Sequence, residues 1–147
     1  MSEEPEIRLR QIEDYRFEID FGRGLAPLQA DEPPPIGGGQ GPSPSLLLLS
    51  AVGTCLSSSF HFAMRKFRES PGLITATARA TIGRDEQHHL RVQAIAVTLA
   101  FATPAASIAH LDRILEQFEQ FCTVSAAVRR GIPITVSVID GIGRVLK

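Results

Sequence analysis

Two thiols stand in contexts that suit redox chemistry. Cys55 lies in Ala51-Val52-Gly53-Thr54-Cys55-Leu56-Ser57-Ser58-Ser59, within a stretch, 46–64, that has no Asp, Glu, Lys or Arg. Cys122 lies in Gln120-Phe121-Cys122-Thr123-Val124-Ser125, where one helical pattern ends and another begins. A thiol on one helix and a thiol at the start of another can carry two electrons between them as a disulfide. The competing reading is two inert core residues, because free cysteine is among the most buried residue types.

A thiol becomes a nucleophile by losing its proton, which helix N-termini and nearby cations favour. Cys122 has the first kind of help: Thr123 or Ser125 can cap the helical piece that ends in Arg129-Arg130, and Arg129 falls near the same face. Cys55 is expected mid-helix and buried, where burial alone raises its pKa. It therefore needs a cation from another element. Arg16 and Arg23 are the candidates, since Arg65 is too far along the same helix.

Other chemistries have weaker support. His88 and His89 are adjacent in a polar turn, His61 and His110 stand alone, and no Cys-x-x-Cys or His-x-x-x-His spacing occurs. Neither a metal nor a cofactor is expected. No Ser/His/Asp grouping forms around Ser58 and Ser59, and Gly37-Gly38-Gly39 precedes no phosphate-loop lysine. The formal net charge is −1, Trp is absent and Tyr15 is the only tyrosine. That leaves neither the basic patch nor the stacking surface that nucleic acids require.

The elements that must position the thiols follow from patterning. With 147 residues, 44% hydrophobic and 21% charged, the chain has the length and balance of one globular domain, 1–147. Alternation over 6–12 and 16–21 predicts two strands turning at Glu13-Asp14-Tyr15, and 25–30 adds a short third. The run Asp31-Glu32-Pro33-Pro34-Pro35-Ile36-Gly37-Gly38-Gly39-Gln40-Gly41-Pro42 can be neither helix nor central strand and reads as an ordered loop. Ser43 as N-cap and Pro44 at the first position open a long helix that ends near Arg65-Lys66-Phe67. Its apolar residues run nearly all the way round, so it is expected to be covered on most sides.

Segments 73–82 and 90–101 read as strands joined by a polar turn. Pro104 opens a second helix with Ile108, Leu111, Ile114, Leu115, Phe118, Phe121 and Cys122 along one stripe. A short piece, 125–130, and a last strand, 134–139, complete the chain. The order β-β-(β)-α-β-β-α-β predicts an α+β fold, helices on a mainly antiparallel sheet with a long buried central helix. The stretch 46–64 has the length of a membrane span, but its serines and its place between strands favour a core helix and no membrane. The acidic N-terminus, Met1-Ser2-Glu3-Glu4-Pro5-Glu6, lacks the features of a signal peptide, and two cysteines are too few for a secreted framework. A reducing cytoplasm is the expected location.

The same residues carry a family resemblance. Asp31-Glu32-Pro33, Gly37-Gly38, Gly41-Pro42-Ser43-Pro44, the Leu-rich helix with Ala51-Val52-Gly53-Thr54-Cys55-Leu56, Cys122-Thr123-Val124-Ser125 and Val128-Arg129-Arg130-Gly131-Ile132 recur in order. In this the chain resembles the OsmC/Ohr family of thiol peroxidases that reduce organic hydroperoxides. The resemblance implies an OsmC-like domain in an intertwined homodimer with active sites at the subunit interface. It implies that Cys55 attacks the peroxide and becomes a sulfenic acid, and that Cys122 condenses with it to a disulfide. A dithiol, lipoyl groups in the Ohr branch, then reduces the pair. Family members place an arginine over the reactive thiol, for which Arg16 fits best by order and Arg23 second. They orient it with a glutamate at the position that is Ser45 here, and Glu32 is the candidate replacement. Alternatives on the same fold are a non-catalytic dimeric binding protein and a redox sensor.

Overall fold

The computed structural model describes residues 2–147; Met1, the first residue of the acidic N-terminal run, lies outside them. It consists of two compact units, one ending at Leu48 and one running Leu49–Lys147.

In the first unit, β1 (Arg8–Glu13), β2 (Arg16–Asp20) and β3 (Leu28–Ala30) form an antiparallel sheet in that order. Glu13 faces Arg16 across the first hairpin, and Asp14 takes the turn with φ +50°. β3 is shorter than the predicted 25–30. Gly22, Arg23 and Gly24 all have positive φ, and Leu25 N–H closes a turn on the Gly22 carbonyl at 3.0 Å, which delays the strand. The Pro/Gly run is ordered around one buried carboxylate. Asp31 Oδ1 accepts from Glu32 N–H at 2.8 Å and Oδ2 from Gln40 N–H at 3.0 Å, while Asp31 N–H donates to the Pro42 carbonyl at 3.2 Å. Gly41 is required there because any side chain would run into the Gln29 carbonyl.

α1 (Pro44–Lys66) begins as its sequence predicts. Ser43 Oγ accepts from Leu46 N–H at 3.4 Å, Pro44 takes the first helical position, and Arg65 and Lys66 occupy the last turn, where the helix dipole favours cations. By length and hydropathy α1 would pass for a membrane span. Its buried residues include Val52, Leu56, Phe60, Ala63 and Met64, the recurring face of a core helix, while Leu46 and Phe62 are exposed, so in the single chain α1 is covered on one face and not on most sides as expected.

The second unit holds a three-stranded sheet in the order β4 (Ile74–Arg84), β5 (Leu90–Phe101), β6 (Ile134–Ile139). β4 and β5 are antiparallel and β6 joins β5 in parallel, with Ile95 opposite Ile134 and Leu99 opposite Val138. A parallel partner needs a crossover, and the helical segment between β5 and β6 provides it. Ile95, Val97, Leu99 and Phe101 of β5 are buried, as are Ile114, Phe118, Ile134 and Val138. The Phe60 ring lies 5.3 Å from Phe101 and 5.4 Å, edge-on, from Phe118, tying α1 to this core. The predicted α+β class and element order hold, with the strands divided between two sheets.

The second predicted helix is broken. Ala105–Ser107 forms a single 3-10 turn and Ile108 is extended. Next come α2 (Leu111–Gln117), a 3-10 turn at Phe118–Phe121, and α3 (Thr123–Val128). Glu69 takes Ala109 N–H at 3.0 Å, the donor that a continuous helix would send to the Ala105 carbonyl, and Ile108 N–H takes that carbonyl instead at 3.0 Å. The buried Asp140 carboxylate accepts Ala105 N–H at 2.7 Å, a first-turn donor with no partner inside a helix, and so caps the short turn. The buried stripe Ile114, Phe118, Cys122 survives the break.

Candidate active site

The second unit brings the two thiols together. Cys55 sits mid-way along α1. Cys122 is itself the N-cap of α3, its backbone extended and its sulfur accepting from Ser125 N–H at 3.4 Å. The sequence assigned the cap to Thr123 or Ser125; the chain turns one residue earlier because the 3-10 turn ends at Phe121. Cys122 is 1% exposed, whereas Cys55 is only half-buried, against the expectation that it is enclosed.

Their ionisation diverges. Burial pushes the Cys55 thiol up, but hydrogen bonds more than offset it: from the Cys122 thiol, from Val124 and Ser125 N–H, and from the Ser59 hydroxyl. The net pKa lies below the ordinary thiol value. Cys122 is raised, by burial first and then by donating its proton toward Cys55. Deprotonation therefore falls on Cys55, with Cys122 as the proton-bearing partner. Beside the cation that the sequence calls for, Cys55 has donors from the first turn of α3, from Cys122 and from Ser59 on its own helix. The α3 contribution was invisible in the sequence because it depends on how α3 meets α1.

Cys55 opens onto a pocket of about 390 Å³ lined by Cys55, Ser58, Ser59, Phe62 and Phe121. The spacing 55, 58, 59, 62 puts these α1 residues on one helix face, a stripe legible in the sequence but not singled out there. Phe62 and Phe121 meet edge-on at 5.1 Å, and Lys66 Nζ stands 5.0 Å over the Phe121 ring. A separate cavity of about 330 Å³, lined in part by Asp112 and Arg144, contains neither sulfur.

Of the remaining candidates, Arg129 and Arg16 are held in ion pairs. Arg129 pairs with Glu119 at 2.7 Å, and Lys147 pairs with the other Glu119 oxygen. Burial raises the Glu119 carboxyl, but the two cations outweigh it and hold the pKa below the ordinary value. This bridge joins the turn before Cys122 to the end of α3. Arg16 opens β2 in the first unit. Its Nη2 pairs with Glu13 at 3.3 Å, and its Nε is buried without a hydrogen-bond partner. Arg23 is exposed, in the positive-φ turn after β2. Among the described residues the carboxylate on Arg16 is Glu13, and Glu32 forms no ion pair. Nor do three or more His, Cys, Asp or Glu side chains converge anywhere among them as metal ligands would.

Comparison with known proteins gives the arrangement a context. A family described as OsmC-like protein matches residues 37–137. No curated protein sequence matches the chain. Among solved structures, an OsmC-like protein of unknown function from Vibrio cholerae superposes with a TM-score of 0.78 at 14% identity, over 94% of this chain and 100% of that one. An organic hydroperoxide resistance protein from Elizabethkingia anophelis gives 0.72 at 18% identity, over 94% and 98%. The organic hydroperoxide resistance protein OhrB of Bacillus subtilis gives 0.68 at 12%, over 90% and 96%.

Proposed function

The chain belongs to the OsmC-like protein family, and from that premise we propose that it is a thiol peroxidase reducing organic hydroperoxides, with Cys55 as nucleophile and Cys122 as resolving thiol. The observation that carries the proposal is the opposed ionisation of two neighbouring sulfurs, with the more acidic one facing an apolar pocket. The Cys55 thiolate attacks the distal peroxide oxygen. An S–O bond forms, the O–O bond breaks, and the alkoxide leaves and takes a proton as the alcohol. The Cys122 thiol then attacks the sulfenic sulfur, expelling water and leaving the Cys55–Cys122 disulfide. A dithiol, for which a lipoyl protein is the proposed source, supplies two electrons to restore both thiols.

The pocket walls favour an organic substrate. An alkyl or aryl group packed in the pocket against Phe62 and Phe121 gains about 25 cal/mol for each Å² of apolar surface it buries, and hydrogen peroxide has no such surface. Arg16 is the proposed arginine of the family pattern, supported over Arg23 by its buried, unpartnered Nε and by Glu13, which takes the orienting part assigned in the sequence to Glu32. A homodimer is proposed as the working form. Leu46, near the start of α1 and not among the pocket residues, is 52% exposed in the single chain, an apolar surface that a second subunit would cover.

The test is consumption of cumene hydroperoxide and of hydrogen peroxide by the purified protein with dithiothreitol. The expected result is faster loss of the organic peroxide, abolished by Cys55→Ser. Equal, slow consumption by wild type and Cys55→Ser would refute the proposal. Light scattering should give twice the chain mass of 15.9 kDa.

A further inference from the structure

The two sulfurs differ in access as much as in acidity. The pocket reaches Cys55 and does not touch Cys122, which is enclosed by the protein. Beside Cys122 lies Ser125, fully buried, whose hydroxyl has no hydrogen-bond partner of ordinary geometry. The group it lies beside is the Cys122 sulfur, and its hydroxyl favours the Cys122 anion. A buried hydroxyl left unpaired is unfavourable and calls for a state of the protein in which it is satisfied.

We propose that the Cys55–Cys122 disulfide is opened from the Cys55 side, and that the Ser125 hydroxyl is the donor that receives the departing Cys122 sulfur. This rests on the disulfide-forming reading above. A thiolate of the reductant enters the pocket and attacks Cys55 Sγ. A new S–S bond joins the reductant to Cys55 as the bond to Cys122 breaks. The electron pair stays on Cys122 Sγ, which Ser125 O–H and N–H hold until it takes a proton from solvent. The reductant's second thiolate then attacks its own sulfur in the mixed disulfide, closing the reductant's disulfide and releasing Cys55 as a thiolate.

Acidity alone points the other way, because the more acidic Cys55 is the better leaving group and attack at Cys122 would release it. Access decides between them. Displacement at sulfur needs approach along the S–S axis, and only Cys55 faces open space. The acidity of Cys55 is then used in the second displacement, where it is the group that leaves. Ser125 offsets the poorer leaving ability of Cys122 in the first.

To separate this from the peroxidase reading, the disulfide is formed in the full chain with diamide instead of peroxide. The oxidised protein is mixed with the monothiol 2-mercaptoethanol, quenched in acid at early times, alkylated and mapped by mass spectrometry. The adduct is expected on Cys55, with Cys122 alkylated; an adduct mainly on Cys122 would overturn the proposal. Ser125→Ala should slow opening of the disulfide by dithiothreitol about tenfold. In a Cys55→Ser background it should raise the Cys122 pKa by about one unit, read from thiolate absorbance. A wild-type opening rate, or an unmoved pKa, would remove Ser125 from the step. Should Ser125→Ala fail to fold, the mapping on the wild-type chain decides the direction of attack. Failure of diamide to form the disulfide overturns the proposal too, while the reactivity of Cys55 toward peroxide is still judged by its own assay.

Discussion

Replacing Cys122 by alanine should raise the pKa of Cys55, and replacing it by serine should not. The Cys122 thiol is the leading group that lowers the Cys55 pKa against burial, ahead of Val124 N–H, Ser125 N–H and the Ser59 hydroxyl. A hydrogen bond to a charged group is worth about 1.5–3 kcal/mol, and a thiol is a weak donor, so the lower end applies. At about 1.4 kcal/mol per unit, losing it moves the pKa up by about one unit, and somewhat less where water enters the space left by the side chain. Below the pKa the thiolate fraction, and with it the alkylation rate, falls about tenfold at most.

Serine keeps an O–H donor toward Cys55 and an acceptor for Ser125 N–H, so it also preserves the cap of α3 that alanine removes, at a cost of about 1 kcal/mol. The assay is pH-dependent thiolate absorbance and iodoacetamide alkylation of the Cys122→Ala and Cys122→Ser variants, each with Cys55 as its single thiol. In the wild type the two thiols titrate as a pair, so only these variants isolate Cys55. The reasoning is refuted if alanine and serine give the same Cys55 pKa, or if Cys122 alone, in Cys55→Ser, ionises below Cys55.

Two glycines should respond in opposite directions to alanine. At Gly53, inside α1, an added methyl would meet nothing nearer than Ala78 Cβ at 3.7 Å. Gly53→Ala should therefore stabilise the protein by about 0.5–1 kcal/mol and raise Tm by about 2–4 °C in thermal denaturation. At Gly141 the methyl would run into the Ala102 backbone, which cannot yield as a side chain does. Gly141→Ala should cost about 3 kcal/mol or more, read from the urea midpoint. Asp140 accepts from Ala105, Arg144 and Ile142 N–H, and the Ala105 bond leads in holding its pKa below the ordinary value. Its folded pKa is depressed, so its contribution is full above the unfolded value of about 3.9 and is lost as pH falls below that. Asp140→Asn should flatten the fall in urea midpoint on acidification, and an unchanged slope would refute the assignment.

The amino-acid sequence by itself determined the local pieces. Alternation placed β1, β2, β5 and β6 to within two residues, because the pleat exposes and buries side chains in turn. Ser43-Pro44 and Arg65-Lys66 bounded α1, because helix ends have fixed chemical needs. The resemblance drawn from its motifs set both cysteines in a family pattern, and the family match over residues 37–137 agrees with the family so named. Where the sequence failed, the deciding partner was distant along the chain. The helix expected from Pro104 broke where Glu69 took the Ala109 N–H that would have continued it.

The thiols make the same distinction most clearly. Residue types and spacing were enough to single out Cys55 and Cys122 as a candidate pair. The resemblance implied Cys55 as the attacking thiol, but the residue chemistry did not, since a mid-helix cysteine looks poorly placed and a helix-start cysteine well placed. Tertiary packing reversed that order. It turned Cys122 into a buried proton donor and delivered its thiol, with the N–H groups of Val124 and Ser125, to Cys55. An ionisation equilibrium depends on the donors within a few ångströms, and here most of them come from residues nearly seventy positions away.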